Sequence, residues 1–218
     1  MTVTSGSESL PNRFPIFPLR GCLLLPNGNL PLNIFEPRYL QMVRDAMQTD
    51  QVIGMVQPRQ DGDPASRPAV FSTGCAGRIT NFAETDDGRY LITLTGLARF
   101  DIEEELTVAT PYRQVVASFR RWRADLQPPA PPAPLKRKLL DVLQGYFERH
   151  GIEADWSAVK AAPIGPLVTS LAMICPFAAS EKQALLEAES LAAQGELLVA
   201  LMEMEARMPG VPTGGLPN

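Results

Sequence analysis

The sequence predicts an α+β protein, with a β-barrel or folded-over sheet in the amino-terminal half and a helical bundle in the carboxy-terminal half. Three observations predict this class. Between residues 51 and 122, short apolar segments alternate with turn residues, as β-strands do. From residue 135 onward, apolar residues recur at helical spacing. A proline-rich stretch at 127–134, QPPAPPAP, separates the two patterns, because polyproline favours a stiff extended chain that cannot join a sheet interior.

The same composition shifts predict the domain organisation. The first twelve residues are rich in Ser and Thr and are polar enough to form a disordered leader. The predicted parts are a disordered leader at 1–12, a barrel subdomain at 13–123, a proline-rich linker at 124–134, a helical subdomain at 135–208 and a flexible tail at 209–218.

The first predicted strand, FPIFPL, starts at Phe14. Pro15 and Pro18 each lack a backbone donor, which predicts that this strand lies at a sheet edge or in a bulge. Asn27, Gly28 and Asn29 are turn residues, and the chain is extended again over Leu30-Pro31-Leu32. A helix is predicted at 36–48, because Pro37 occupies the favoured first helical position.

The remaining strands of the barrel follow in order. The predicted strand segments are QVIGMVQP, VFSTGCAGRITNFAE, RYLITLTG, LARFDIEEE and YRQVVASFRRW. Asp86-Asp87-Gly88 predicts a tight hairpin, since aspartate and glycine tolerate the positive φ values that such turns need. After it, Tyr90, Ile92 and Leu94 alternate with Leu91, Thr93 and Thr95, which indicates a strand with one buried face.

The helices beyond the linker are predicted from periodicity and end signals. A helix is predicted from Leu135 to His150, with Gly151 at its end. A second is predicted over Pro166–Cys175, stopped by Pro176. Ser180 and Gln183 have the spacing of a capping box, and the last helices are predicted to run to about residue 208.

Three segments resemble one known family. PLRGCLLLPNGNLPLNIFEPRY, beginning at Pro18, is similar to the opening signature of the LON substrate-binding domain, the module at the amino-terminal end of Lon proteases. GCAGRITNFAETDDGRYLITLTGLARFDI resembles the family's glycine-containing strand, acidic hairpin and Gly-x-x-Arg-Phe strand end. SEKQALLEAESLAAQGELLVAL is similar to its closing helices.

The resemblance implies a PUA-like barrel and a non-catalytic module that binds unfolded or extended polypeptide segments. Because no ATPase loop and no segment resembling a Lon protease domain occurs, we expect a free-standing member of the family. Such a member could be an adaptor that delivers polypeptides to a protease, a regulator that competes for them, or a scaffold. A barrel with proline-interrupted edges exposes backbone groups to which an extended segment could add a strand. The candidate polypeptide-binding residues are Phe14, Ile16, Phe17, Leu24, Leu32 and Phe35; the alternative is that most of these side chains are core.

The motifs that catalysis would need are few. No Gly-x-x-x-x-Gly-Lys-Ser/Thr loop occurs, so the sequence lacks this phosphate cradle of ATPases. His150 is the single histidine, and its position is also one that favours histidine at a helix end. Cys22, Cys75 and Cys175 are widely spaced and predict packed thiols rather than a disulfide framework or a zinc site. We expect no catalytic residue, cofactor or metal.

Basic residues next to aromatic ones raise a second possible function, the binding of RNA. Residues 119–123, FRRWR, and Lys136-Arg137-Lys138 combine cations with aromatic side chains, as nucleic-acid surfaces do, so an RNA-binding PUA-like module is the alternative. The net charge of −4 and the pI near 5.1 disfavour it, since an acidic protein gains little from phosphate neutralisation. With no apolar segment long enough to span a membrane, the expected location is the cytoplasm.

Five charged residues match charged positions of the family pattern. They are Arg20, Glu36, Arg38, Arg78 and Arg99. Each could pair with an opposite charge inside the fold as readily as contact a ligand. No catalytic role is predicted for any of them. Glu103-Glu104-Glu105 likewise predicts a solvated strand end rather than a metal site.

Overall fold

A computed structural model describes residues 10–59, 67–127 and 135–207, and the chain divides into two compact units, residues 1–126 and 127–218. The first unit holds strands β1 to β6, helix α1 and a short 3₁₀ helix; the second holds helices α2 to α6. Their bounds are β1 Arg13–Pro18, β2 Asn29–Ile34, α1 Pro37–Met47, β3 Val52–Val56, β4 Thr73–Glu84, β5 Tyr90–Glu105, β6 Arg113–Ser118, the 3₁₀ helix Arg123–Leu126, α2 Leu135–His150, α3 Trp156–Ala161, α4 Ile164–Ile174, α5 Ala179–Glu187 and α6 Leu191–Arg207.

The predicted leader, linker and tail fall largely outside the described residues. Residues 1–9 of the leader, 128–134 of the linker and the whole tail at 209–218 are not described. The predicted linker begins at residue 124, whereas residues 124–126 lie in the 3₁₀ helix and belong to the first unit. The rest of the domain organisation stays a prediction.

The sheet of the first unit closes on itself, with strand order β2-β5-β4-β3-β1-β6 and a further pairing of β5 with β6. One strand makes this closure possible. β5 pairs with β4 along most of its length, while its other edge pairs first with β2, over Tyr90–Thr95, and then with β6, over 101–105. The predicted class, α+β with a barrel followed by helices, is confirmed.

Strand β1 is flanked on both sides, so the prediction of an edge or bulged strand is wrong. β3 pairs with Ile16–Pro18 and β6 pairs with Arg13–Ile16. The amide of Leu19 donates to a β3 carbonyl over 3.1 Å, so by alternation the nitrogen of Pro15 faces β3 and that of Pro18 faces β6. Pro15 lies just before the ladder to β3, and Pro18 lies after the end of the ladder to β6. Neither proline therefore removes a hydrogen bond from the sheet.

The barrel core is built from aromatic side chains of distant strands. Phe14 of β1 meets Phe100 of β5 edge to face, with ring centroids 5.0 Å apart, and Phe119 packs against both rings. Ile16 is completely buried in the same cluster. Such pairs add stability beyond the area they bury, because the edge of one ring is attracted to the face of the other.

The connection into β2 is a tight turn followed by a bulge. Gly28 N donates to Leu25 O over 2.9 Å, and Asn27 has a φ of +63° between them. Asn27 N then donates to Gly96 O, and Gly96 N donates to Gly28 O. Asn27 and Gly28 thus both face Gly96 of β5. This is the pattern of a β-bulge whose first residue, Asn27, has a left-handed backbone conformation. The predicted turn is confirmed, and the bulge sets the register of β2.

The other predicted turn, between β4 and β5, is also confirmed. Thr85 N donates to Arg89 O and Gly88 N donates to Thr85 O, both over 2.9 Å. Gly88 has a φ of +78°, which a residue without a Cβ adopts at no steric cost. β4 and β5 therefore extend as a continuous hairpin from the barrel.

In the second unit, a hydrogen bond links the carboxy-terminal ends of α2 and α6, where Arg149 Nη1 donates to Glu205 O over 3.0 Å.

Helix α3 was not predicted. Its signal was Asp155, whose Oδ1 accepts hydrogen bonds from the amides of Ser157 and Ala158 and so caps the helix. Lys136 Nζ donates to carbonyls at the end of α3, over 2.7 Å to Lys160 and 2.8 Å to Ala162.

Two predicted helix starts are displaced. α4 begins at Ile164 rather than at Pro166, which lies inside its first turn. α5 begins at Ala179, so the capping box predicted for Ser180 and Gln183 is wrong. Glu181 accepts instead from the amide of Ala178 over 2.8 Å, and Gln183 is buried and donates to Glu187. Glu181, two residues before Gln183, takes the capping function because the N-cap is Ala178, two residues before Ser180.

Candidate functional site

Large exposed apolar side chains gather at one end of the sheet of the first unit. Tyr90 of β5 pairs with Ile34 on one side and with Glu84 on the other, forming one row across three strands. Within two residues of this row stand Phe35, Phe82 and Leu91, with 63%, 39% and 46% of their surface exposed. We call these three residues the hairpin patch. Exposed apolar groups in close proximity are typical of binding surfaces.

The hairpin patch has two sides. Leu91 lies opposite Asn33 and Ala83, which are exposed on the outer face of the sheet. Phe82 lies opposite Ile92, on the face that turns toward the core, and its ring centroid is 4.9 Å from that of Tyr90. The patch therefore wraps around the hairpin rather than lying flat on one face.

Polar contacts hold the surroundings of the patch in place. Arg44 of α1 donates to Tyr90 Oη over 2.9 Å, which ties the helix to the sheet beneath Phe82. In the turn, Arg89 Nε donates to Asp87 Oδ2 over 2.7 Å. The hydrogen bonds from Arg89 and Thr85 hold the pKa of the Asp87 carboxyl well below its usual range. The Asp87 carboxylate therefore bridges Thr85 and Arg89 across the turn.

The six predicted binding residues divide by burial. Phe14, Ile16, Phe17 and Leu24 lie in the core, where no ligand reaches them without opening the barrel. Leu32 of β2 is half-buried, and Phe35 is the most exposed of the six. The structure thus keeps Leu32 and Phe35 together near one strand and adds Phe82 and Leu91, which were not predicted. Leu91 could have been found, because it interrupts a face of the strand that otherwise carries Thr93 and Thr95.

Comparison with known proteins agrees with this architecture. Residues 13–204 match the family described as the ATP-dependent protease La (LON) substrate-binding domain. The chain belongs to this family. It is 28% identical to Lon protease 2 of Myxococcus xanthus over 202 residues, 90% of this chain and 24% of that protein. It is 27% identical to the Lon protease of Anaeromyxobacter dehalogenans over 205 residues, 92% of this chain and 24% of that protein. The chain spans about a quarter of the length of these curated relatives.

Solved structures of Lon amino-terminal domains share the fold. The crystal structure of a Lon N-terminal domain protein from Xanthomonas campestris matches with a TM-score of 0.58 and 23% identity, covering 90% of this chain and 99% of that one. The N-terminal domain of the Mycobacterium avium complex Lon protease matches with a TM-score of 0.60 and 14% identity, covering 88% and 98%. In the described part of this Lon-type chain, no helix has both the length and the apolar character needed to cross a bilayer.

Three of the charged residues that fit the Lon pattern, Glu36, Arg38 and Arg99, take part in ion pairs within the fold. Arg99 forms a buried, bidentate pair with Asp125 of the 3₁₀ helix, over 2.8 Å from Nε and 2.7 Å from Nη2. Arg38 pairs with Glu36 at the start of α1, over 2.9 Å. These contacts favour the structural role that the sequence left open for these positions.

The basic region on which the RNA alternative depends is partly engaged in the fold. Trp122 is buried between two guanidinium groups. That of Arg99, on β5, lies 4.0 Å from the centroid of the Trp122 ring, and that of Arg121 lies 4.3 Å from it. A base cannot stack on a ring that is already covered. Lys136 is bonded to the carbonyls that end α3. The Lon family match and this geometry do not favour the RNA alternative.

His150 and the acidic run make contacts within the fold. His150 Nε2 lies 2.8 Å from Glu205 Oε2, at the joined ends of α2 and α6. Glu105, the last residue of the acidic run, pairs with Arg113 of the neighbouring strand, Nε to Oε1 over 2.8 Å. This pair holds the pKa of the Glu105 carboxyl below its usual value. The barrel end at β5 and β6 is therefore fastened by an ion pair.

The cysteines give a prediction about thiol reactivity. Cys75 and Cys175 are completely buried, and burial raises the pKa of both thiols, that of Cys175 to about 12. Because the thiolate is the nucleophile, both should resist alkylation and disulfide exchange. We expect a thiol reagent at pH 8 to label at most Cys22, which is partly exposed, and to label all three after denaturation. Rapid labelling of two thiols in the folded chain would contradict this.

Proposed function

We propose that this chain is a non-catalytic polypeptide-binding module that recognises unfolded or extended segments through the hairpin patch. The observation that carries the proposal is the exposure of Phe35, Phe82 and Leu91 at one end of the sheet in a Lon substrate-binding domain. Aromatic and aliphatic side chains supply contact area with little dependence on the ligand's sequence. Such a surface suits a module that must accept many different unfolded chains.

The proposal extends to the place of the module in proteolysis. Its relatives are Lon proteases, of which it matches about a quarter. We infer that it holds polypeptides for a protease, as an adaptor that delivers them or as a regulator that retains them. The three cysteines are free thiols, as is usual in a reducing compartment, for which the cytoplasm is our proposal.

The test compares two exposed apolar sites of similar exposure. Phe35→Ser with Leu91→Thr removes most of the hairpin patch, while Met204→Gln changes a side chain of α6 that is 61% exposed. We expect the double variant to bind labelled, reduced and carboxymethylated lactalbumin, an unfolded polypeptide, at least about fivefold more weakly, because truncating an interface anchor typically costs over 1 kcal/mol. Fluorescence anisotropy measures the affinity, and Met204→Gln should not change it.

Salt and RNA distinguish the proposal from its alternative. Polypeptide binding that rests on apolar contacts should survive physiological salt, whereas binding to phosphates weakens steeply. The wild-type chain is therefore titrated in parallel with a labelled single-stranded RNA at low and physiological salt. Saturable binding of RNA alone, with none of the polypeptide, would overturn the proposal in favour of the RNA-binding alternative.

A further inference from the structure

The orientation of β2 in the sheet determines which of its backbone groups face outward. Gly96 N donates to Gly28 O over 2.8 Å, so the carbonyl just before β2 points toward β5. Since successive residues of a strand alternate, Leu30, Leu32 and Ile34 direct their backbone groups to β5 as well. The backbone groups of Asn29, Pro31 and Asn33 therefore point away from the sheet.

This outer edge is open in the described part of the chain. β2 pairs with β5 alone among the described strands, and Asn29, Pro31 and Asn33 are all exposed. Together they present two amide donors and three carbonyl acceptors, because Pro31 has no N–H. The proline thus lies where its missing donor costs the sheet nothing, as expected for a residue on an edge strand.

Side chains hold the edge in position. On the outer face, Thr95 Oγ1 of β5 donates to Asn29 Oδ1 over 2.8 Å, and Thr80 Oγ1 of β4 lies 2.9 Å from Thr95 Oγ1. This row crosses three strands and fixes β2 against them. On the other face, Leu30 and Leu32 are half-buried, so apolar surface continues up to the edge. The hydrogen bonds of Asn29, Thr95 and Thr80 therefore hold the edge of β2 in place before a ligand binds, which reduces the conformational entropy that the protein loses on binding.

We propose that the bound polypeptide adds to the outer edge of β2 as a further strand. Its N–H groups would donate to the carbonyls of Asn29, Pro31 and Asn33, and its carbonyls would accept from the amides of Asn29 and Asn33. The partner that fits is an extended segment of about five residues whose alternate side chains are apolar, to cover Leu30 and Leu32. It has no proline at the positions facing those carbonyls. This inference rests on the proposed function and adds its binding mode.

A second copy of the chain fits this edge less well than an unrelated segment. If two β2 edges paired about a two-fold axis centred on Pro31, both central hydrogen bonds would be missing, one from each proline. A ligand with ordinary residues loses only one. Proline on an exposed edge strand is a common device against self-pairing. The edge therefore discriminates against self-association while it still admits an extended ligand.

Two substitutions of opposite effect test this binding mode. Asn33→Pro removes an outward donor without touching the ladder to β5, and should weaken binding of the carboxymethylated lactalbumin by about two- to tenfold, the loss of one hydrogen bond. Asn33→Ala is its control, because it keeps the N–H and should bind like the wild type. Pro31→Val adds a donor to the edge, and should tighten binding by a similar factor.

The outcomes separate this inference from the proposed function. If the wild type binds the polypeptide but Asn33→Pro and Pro31→Val, both folded by circular dichroism, bind like the wild type, the edge mode is overturned and the hairpin patch alone remains. If the wild type binds no polypeptide, the proposed function itself fails. Sedimentation showing a wild-type dimer that Asn33→Pro dissociates would make the edge an interface between copies, which overturns the inference.

Discussion

Replacing Asp125 with asparagine should destabilise the first unit by about 3 kcal/mol, because it leaves the buried Arg99 charge without its counter-ion. The side chains of Arg99 and Asp125 are only 8% and 7% exposed. Asp125 also accepts from the backbone amide of Arg99 over 2.9 Å, so one carboxylate serves three donors of the same residue. An asparagine of the same shape cannot accept all three.

Denaturant unfolding measures this effect when one tryptophan reports on one unit. The chain has two tryptophans, so a Trp156→Phe background leaves the emission of Trp122, which packs against Arg99. Removing both charges, with Arg99→Met and Asp125→Leu, should recover more than half of the lost stability, because no uncompensated charge remains.

A control variant separates the buried pair from surface charge. Arg121→Ala removes the exposed guanidinium over the same Trp122 ring and should cost less than about 1 kcal/mol. An Asp125→Asn variant that unfolds at the same denaturant concentration as the wild type would show that water replaces the carboxylate, and that the pair does not hold the 3₁₀ helix to the barrel.

Gly96→Ala is the second substitution with a large expected effect. An added Cβ would lie 2.0 Å from Leu25 O and 2.8 Å from Leu25 C, both backbone atoms that no rotamer change can move. Gly96 also forms the bulge that sets the register of β2. We expect a loss of about 3 kcal/mol or more from this overpacking, measured in the same Trp156→Phe background.

The matched control for this substitution is a Gly→Ala change that should increase stability. Gly145, on the exposed side of α2, has no atom within 4 Å of an added Cβ. Gly145→Ala should stabilise the helical unit by about 0.5–1 kcal/mol, because alanine loses less conformational freedom in a helix. Helix ellipticity during unfolding checks this. A Gly96→Ala chain with wild-type stability would mean that the turn at 25–28 moves aside at little cost.

Local signals in the sequence were sufficient for most elements. Alternation after the hairpin predicted which residues of β5 face the core, and the positive φ of Gly88 was implied by Asp86-Asp87-Gly88. Helical spacing and Gly151 predicted α2. These features depend on contacts within a few residues, so a single sequence contains them.

The errors arose where a local signal depends on distant partners. Two prolines in β1 predicted an edge, yet the strand is central, because the ladders to β3 and β6 are offset along it. Ser180 and Gln183 had the spacing of a capping box, but α5 starts at Ala179 and Gln183 is buried. The offset between the two ladders leaves no trace in nearby residues, whereas Glu181 was the local signal for the earlier start of α5.

The candidate site shows the same division. The sequence by itself determined the apolar, proline-interrupted segment that contains Phe35 and Leu32, together with its resemblance to the Lon family. Only the tertiary structure decided that Phe14, Ile16, Phe17 and Leu24 are core, that Phe82 and Leu91 lie at the same end of the sheet as Phe35, and that β2 turns its proline outward. Exposure depends on which strands pair and in which register, and the pairing of β2 with β5 joins residues as distant in the chain as Ile34 and Tyr90.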